Sequence, residues 1–230
     1  MPNFVSAIIA AAGSSTRMGL GFSKQFIMLD NKPVIAHTLS AFENSYLINE
    51  IIVVCRTDDI AEIFNIVKKY NITKFKDCVV GGNSRAESVK NAISHLDSKC
   101  EYIAIHDGAR PLVTSNEIQD TVSGAFKYNA CAIGVPVTDT IKVITDDNLI
   151  IDTPQRSTLF AVQTPQVFEK GLYLKALKNA ENIGANITDD CSLVEAYGSK
   201  VYVINGNYTN IKLTTQADII YAEAILKERG

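Results

Sequence analysis

Apolar and polar residues along this chain follow two periods, and the period keeps switching. β-Branched runs of strand length occupy Phe4 to Ala10, Ile51 to Cys55, the stretch ending at Val79-Val80 before Gly81-Gly82, Tyr102 to Ile105, Ala130 to Pro136 and Val201 to Ile204. Between them, apolar residues recur at three- and four-residue steps. Val34 to Phe42 follows Pro33, a favourable first-turn residue. Ile60, Ile63, Phe64 and Val67 follow the helix start offered by Asp58-Asp59, and Val89, Ile93 and Leu96 share a stripe from about Ser84 to Leu96. Ser115 to Tyr128, Leu172 to Ala180, Asp189 to Tyr197 and Gln216 to Glu228 complete the helical set. Strand and helix in alternation predict an α/β, Rossmann-like architecture: a mainly parallel sheet flanked by helices on both faces.

The rhythm breaks once, over 138–164. Thr140 to Ile144 and Leu149 to Asp152 have strand composition around the turn residues Thr145-Asp146-Asp147-Asn148, which predicts a β-hairpin. Too short to be a domain, it reads as an arm projecting from one domain spanning 1–230, and such an arm buries its apolar side most easily against another subunit. Ligands of open parallel sheets bind beyond the carboxyl ends of the strands. Four noteworthy segments fall there: Ala11 to Lys24, Gly81 to Arg85, His106 to Pro111 and Pro136 to Thr140.

Composition narrows the classes. At 47% hydrophobic and 20% charged residues the chain has globular composition, which excludes disorder. Its net charge of −3 and lack of a basic run argue against a nucleic-acid partner, while leaving room for a local anion pocket. No apolar run approaches a membrane span, and Met1 to Ala12 lacks the basic start of a secretory leader, so the expectation is a cytoplasmic protein without a membrane partner. Cys55, Cys78, Cys100, Cys131 and Cys191 include no C-x-x-C pair and read as buried free thiols. His37, His95 and His106 have no partner at ligand spacing and read as structural or surface residues.

The segment after the first strand, Ala10-Ala11-Ala12-Gly13-Ser14-Ser15-Thr16-Arg17-Met18-Gly19, carries the strongest chemistry. Small residues let backbone N–H groups approach a polyphosphate closely. The order is neither G-x-x-x-x-G-K-[ST] nor G-x-G-x-x-G. Instead Arg17 stands in the loop and Lys24 seven residues on, two cations available to one anion. An ordinary βα loop with solvated cations is the plainer alternative.

Further motifs follow in order: Gly81 to Val89, His106-Asp107-Gly108-Ala109-Arg110-Pro111, Asp139-Thr140-Ile141-Lys142, Gln163-Thr164-Pro165-Gln166, Thr188-Asp189-Asp190 and Asn210-Ile211-Lys212-Leu213-Thr214. With the first loop and Lys24-Gln25, these seven motifs resemble those of sugar-phosphate nucleotidyltransferases. The whole chain is most similar to the 2-C-methyl-D-erythritol 4-phosphate cytidylyltransferase family. Ribitol-5-phosphate cytidylyltransferases share most of the motifs, but Asp107 to Pro111 and Thr188 to Glu195 look closer to the first family.

The resemblance implies cytidylyl transfer from CTP to a sugar-alcohol phosphate, with release of pyrophosphate, Mg²⁺ as cofactor and a homodimer formed through the arm. It implies that Arg17 and Lys24 stabilise the pentacoordinate α-phosphorus and the leaving pyrophosphate, with Lys212 a third cation near the α-phosphate. Ala11, Ala12, Gly13 and Ser14 correspond to backbone contacts with the nucleotide, and Gly82, Asn83 and Ser88 to the part that reads cytosine. Asn83 stands where relatives often carry Asp, which puts a charged side-chain role there in doubt. Asp107 corresponds to a residue that orients Mg²⁺, itself held mainly by the phosphates, or holds a substrate hydroxyl. Thr140, Arg156, Thr164 and Thr188 correspond to the sugar-phosphate pocket. Asp189 and Asp190 also suit a helix start, and Arg85, Arg110 and Lys142 suit pairing with local carboxylates.

The residue types fit this chemistry independently. A phosphate nucleophile is already ionised at neutral pH and needs no base, so catalysis rests on alignment and on neutralising charge. A chain with paired cations and no convincing triad suits that. Two other classes remain in view. A nucleotide-binding oxidoreductase would need the missing G-x-G-x-x-G spacing. A non-catalytic sensor would be expected to have lost Arg17 or Lys24, and both are present.

Overall fold

The computed structural model describes residues 3–13, 23–183 and 187–229, and side chains except those of 181–183. Arg17 and Ser14 lie outside the described residues. In chain order the elements are β1 (Val5–Ala10), β2 (Met28–Leu29), β3 (Lys32–Pro33), α1 (Val34–Glu43), β4 (Glu50–Cys55), α2 (Ile60–Lys69), β5 (Phe75–Val80), α3 (Arg85–Ile93), β6 (Tyr102–Asp107), α4 (Ser115–Tyr128), β7 (Ala130–Pro136), β8 (Val143–Ile144), β9 (Ile150–Asp152), β10 (Phe160–Glu169), α5 (Lys170–Ile183), α6 (Asp190–Ala196), β11 (Tyr202–Asn205) and α7 (Gln216–Arg229).

Seven strands form one sheet in the order β11-β7-β10-β6-β1-β4-β5. All neighbours are parallel except β10, which runs antiparallel to both β6 and β7. Successive β1 side chains bury into opposite faces. Val5, Ala7 and Ile9 join residues of α1, α2 and α4 in one core, while Ile8 joins Val89 of α3, Tyr173 of α5 and Val194 of α6 in the other. Val5, Ile8 and Ile9 are fully buried, and each such side chain contributes roughly 1.5–3 kcal/mol. This two-sided burial explains the continuous apolar runs read from the sequence.

Helix starts follow local chemistry. Thr114 and Glu117 form a reciprocal capping box on α4, Ser84 accepts the Glu87 N–H at the start of α3, and Asp189 accepts the Ser192 N–H at the start of α6. Ser84 and Asp189 are thus caps rather than first helical residues. Thr57–Asp59 forms a 3₁₀ turn before α2, in which Asp59 pairs with Arg56 at 3.0 Å instead of capping the helix.

The main difference from the sequence reading is β10. Its residues carry the Gln163 to Gln166 motif but were given no element. Pro165 interrupts the run, and proline inside a sheet is confined to edges and irregularities. Here the pairing of β10 with β7 shifts register between Val162 and Gln166, and the Thr164–Pro165 peptide is cis. The hairpin is also shorter than expected: β8 and β9 hold two and three residues around a turn with Asn148 at φ 61°. Nearly every residue from Thr138 to Val162 is exposed, including Ile144, Leu149, Ile150 and Ile151 at 52–65%. Among the described residues no helix is long and apolar enough to cross a membrane.

Candidate active site

The ends of β1, β5 and β6 converge at the carboxyl edge of the sheet. Ala10 stands opposite Val54 on one side and Asp107 on the other, so the Ala11 to Gly13 segment leaves the sheet between β4 and β6. Gly81 follows β5 and closes against the same segment. A Cβ on Gly81 would lie 2.5 Å from the Ala12 Cβ, so only glycine permits this approach. The Ser88 hydroxyl accepts the Gly82 N–H at 3.0 Å, and Glu87 accepts the Asn83 N–H at 2.7 Å. Asn83 itself is exposed, and Ser88 is buried beneath the loop.

Asp107 ends β6 and is buried, with three cations around its carboxylate. Arg85 Nη1 lies 2.6 Å from Oδ1, Lys212 Nζ 2.8 Å from Oδ2, and Arg110 Nε 3.6 Å from Oδ2. Burial alone would raise the carboxyl's pKa, but Arg85, Lys212 and Arg110 outweigh it and hold Asp107 well below the usual carboxylate range. Arg85 also reaches Asp190, with Nη2 at 2.8 Å and Nε at 2.9 Å from Oδ2. Burial works against the Arg85 charge, yet Asp190 and Asp107 together raise its pKa. The Tyr173 hydroxyl donates to the other Asp190 oxygen at 2.7 Å.

Behind Asp107 a second chain of bonds fixes the backbone. His106 Nε2 lies 3.3 Å from the Arg110 carbonyl, which only accepts, so Nε2 carries the proton and Nδ1 accepts. Thr164 therefore donates to Nδ1 at 3.0 Å and accepts the Asp107 N–H at 3.1 Å. Burial drives the His106 pKa down to about 3. Asn210, also buried, donates to the Thr164 carbonyl at 3.0 Å, and its own carbonyl accepts from Arg110 Nη1 at 2.7 Å. Gln166 ties β10 to α6, donating to Asp189 at 2.7 Å and accepting the Cys191 N–H at 3.1 Å.

Lys24 is tied to the residue that follows Lys212. The Leu213 N–H donates to the Ala109 carbonyl at 2.8 Å, while the Leu213 carbonyl accepts from Lys24 Nζ at 3.0 Å. Lys212 thus stands at the end of β6, and Lys24, from the other end of the sequence, holds the segment that carries it. Gln25 donates to the Ala11 carbonyl and holds this segment against the first loop.

The structure therefore brings together Ala11, Ala12, Gly13, Lys24, Gly82, Asn83, Ser88, Asp107, Thr164 and Lys212 at one edge. Thr164 is only 4% exposed, with its hydroxyl engaged between His106 and Asp107, so it stands behind the surface of the site. Thr188 lies beside the α6 cap, its N–H donating to Ser192 Oγ at 3.1 Å. Thr140 and Arg156 lie on the exposed arm, where Arg156 Nη1 donates to the Thr138 carbonyl at 3.0 Å. Arg85 and Arg110 pair with carboxylates as expected and His106 is a buried structural residue, whereas Asp190 as the partner of Arg85, Tyr173 and Gln166 were missed. Arginines beside motif aspartates were the available signal, but their pairing depends on contacts of up to 105 residues' separation.

Asp107 was expected to orient a Mg²⁺ held mainly by the phosphates, or to hold a substrate hydroxyl; its own carboxylate does not fit the role of a direct metal ligand. Both carboxylate oxygens already face cations, and among the described residues no three His, Cys, Asp or Glu side chains converge on a possible metal position.

The model of the family described as 2-C-methyl-D-erythritol 4-phosphate cytidylyltransferase matches residues 5–228. The protein of that name from Caldanaerobacter subterraneus subsp. tengcongensis is 47% identical over 225 residues, covering 97% of this chain and 99% of its own. That from Alkaliphilus metalliredigens is 44% identical over 228 residues, covering 98% and 94%. Among solved structures, 4-diphosphocytidyl-2C-methyl-D-erythritol synthase from Anaerococcus prevotii superposes with a TM-score of 0.88 at 35% identity, covering 98% of this chain and 97% of that one.

Proposed function

The chain belongs to the 2-C-methyl-D-erythritol 4-phosphate cytidylyltransferase family, and from that premise we propose that it transfers the cytidylyl group of CTP to 2-C-methyl-D-erythritol 4-phosphate, giving CDP-methylerythritol and pyrophosphate. One observation carries the reading to this site: Lys212 lies on Asp107, and Lys24 bonds the carbonyl of the next residue, at the sheet edge where the first loop and the Gly81 loop meet.

In the proposed reaction a phosphate oxygen of the sugar phosphate attacks the α-phosphorus of CTP. The new P–O bond forms as the bond from the α-phosphorus to its bridging oxygen breaks, and that electron pair leaves with pyrophosphate. No proton has to move. Charge accumulates on the α-phosphoryl oxygens and the leaving group, so stationary cations supply the stabilisation. We assign that work to Arg17, Lys24 and Lys212. Backbone groups of Ala11, Ala12, Gly13 and Ser14 take the nucleotide, and the Gly82–Ser88 loop takes cytosine through its backbone. Asn83 is exposed, consistent with a main-chain role for that position.

Arg156 and Thr140 on the arm, with Thr188 at the α6 start, form the acceptor pocket in this reading. The arm's exposed isoleucines and leucine supply the apolar surface for a homodimer, and a partner's arm would bring Arg156 to the site. Mg²⁺ enters with the nucleotide phosphates rather than on a protein-built site, and when bound it neutralises phosphate charge. The five free cysteines accord with a reducing cytoplasm.

The test is pyrophosphate release by the purified protein with CTP and either 2-C-methyl-D-erythritol 4-phosphate or ribitol 5-phosphate. Turnover with the first is expected. Preference for ribitol 5-phosphate would overturn the substrate assignment, and release with neither would overturn the reaction.

A further inference from the structure

We infer that Arg85 and Asp107 are positioning residues for Lys212: Asp107 places the Lys212 ammonium rather than a metal ion, and Arg85 fixes Asp107 from behind. The inference rests on the assignment of Lys212 above and deepens it.

A continuous polar chain runs from the core to the ammonium. Tyr173 is fully buried in α5 and donates to Asp190 Oδ1 at 2.7 Å. Asp190, 3% exposed, holds Arg85 through Oδ2 at 2.8 Å, and Arg85 holds Asp107 Oδ1 at 2.6 Å. Asp107 Oδ2 then faces Lys212 Nζ at 2.8 Å. Every inner member is pinned by its neighbour. Removing the guanidinium would leave, among the described residues, Asp190 with the Tyr173 hydroxyl on Oδ1, and Asp107 with Lys212 and the more distant Arg110 on Oδ2, so both carboxylates would be free to turn. Arg85 takes Oδ1, so Oδ2 is the oxygen left for Lys212. A lysine stem has many rotamers, and one fixed carboxylate oxygen selects among them at the position where charge would develop. Gly82 to Ser84 lead directly into the helix that Arg85 opens, so the same contact sets that segment against the end of β6.

The discriminating experiment is a double-mutant cycle on the full-length protein with Arg85→Gln and Lys212→Ala, reading kcat, both KM values, the Mg²⁺ concentration at half-maximal rate, and Tm. Arg85→Gln is expected to lower kcat by ~30-fold or more, within the scale of one displaced electrostatic stabiliser, and to change the KM for CTP by less than ~3-fold. In the Lys212→Ala background the same substitution should cost less than ~3-fold, the signature of one group acting through the other. Arg85→Lys should recover part of kcat, because it keeps a cation on Oδ1. Asp107→Asn should lower kcat with the Mg²⁺ requirement unchanged. Should Arg85→Gln not fold, Tyr173→Phe replaces it, with an expected loss of ~3- to 10-fold that also vanishes when Lys212 is absent. A full penalty for Arg85→Gln or Tyr173→Phe in the Lys212→Ala background would overturn the chain. A raised Mg²⁺ requirement in Asp107→Asn would show a metal ligand instead. Wild-type turnover by Lys212→Ala would refute the assignment of Lys212 itself, and the chain with it.

Discussion

A carboxylate enclosed by cations and a histidine held neutral make the same demand on pH, that each stay deprotonated, and they are adjacent residues. Asp107 needs its charge to hold Arg85 and Lys212, while His106 must stay neutral to accept from Thr164. For His106 the folded pKa of about 3 lies below the unfolded value, which is ~6.5. Above that value both states are neutral. As pH falls below it, the unfolded chain gains a proton the native state refuses, so stability drops by up to ~1.4 kcal/mol per pH unit. Urea unfolding of the native protein and of His106→Asn between pH 6.5 and 5 should therefore give a steeper loss for the native protein; parallel curves would refute the buried neutral ring. Lys24→Ala acts on chemistry rather than folding, and its kcat should fall at least ~10²-fold, the scale of one lost electrostatic stabiliser. Near-native turnover would remove Lys24 from the mechanism. Lys24 stood out in the sequence as a second cation following the glycine loop and Arg17, whereas Lys212 was reached only through the family resemblance. For Arg85 a carboxylate pairing was foreseen but not its partners, and the parts of Asp190 and Tyr173 were not foreseen, since nothing local distinguishes a buried bridge from a surface ion pair and this one closes only when α3, α5 and α6 pack on β6.

At the level of elements, loops carry the site and strands aim them. The close approach of Gly81 to Ala12 joins the loop after β5 to the loop after β1, which ties the proposed base-reading and phosphate-binding segments together. Gly81→Ala should consequently raise the KM for CTP by ~10-fold or more, with the KM for the sugar phosphate moving much less, because a backbone shift of about 1 Å is costly where alignment is the catalytic device. Equal changes in both constants would place the loop outside the nucleotide site. Elements with a clean period were readable: α4 and β7 have the expected bounds because a capping box, an amphipathic stripe and a left-handed Asn129 all agree locally. β10 was not, since Pro165 breaks its pattern and the irregular pairing that accommodates the proline is supplied by β7. The cost of missing β10 was the place of Thr164. Its motif was recognised, but only the antiparallel strand turns its hydroxyl inward onto His106.

Among the described residues, the arm presents an apolar surface that its own chain does not cover. The arm carries Leu149, Ile150 and Ile151 at 57–65% exposure, on strands of two and three residues that a lone hairpin would scarcely hold. Its apolar period was visible in the sequence, whereas its partner, being another molecule, was not. If the arm crosses to a second copy, each site combines Lys24 from one chain with Arg156 from the other. Arg156→Ala should then raise the KM for the sugar phosphate far more than that for CTP. A mixture of Arg156→Ala and Lys24→Ala proteins, each nearly inactive below saturation, should regain activity after subunit exchange. Mixed dimers hold one site with both defects and one with neither, so random exchange puts half the molecules in that form and restores about a quarter of the native sites. Light scattering on the same samples checks the premise: a dimer is expected for both variants, and Ile150→Asp should shift it towards monomer. A monomeric native protein, or a mixture no more active than its components, would mean that the arm serves its own chain.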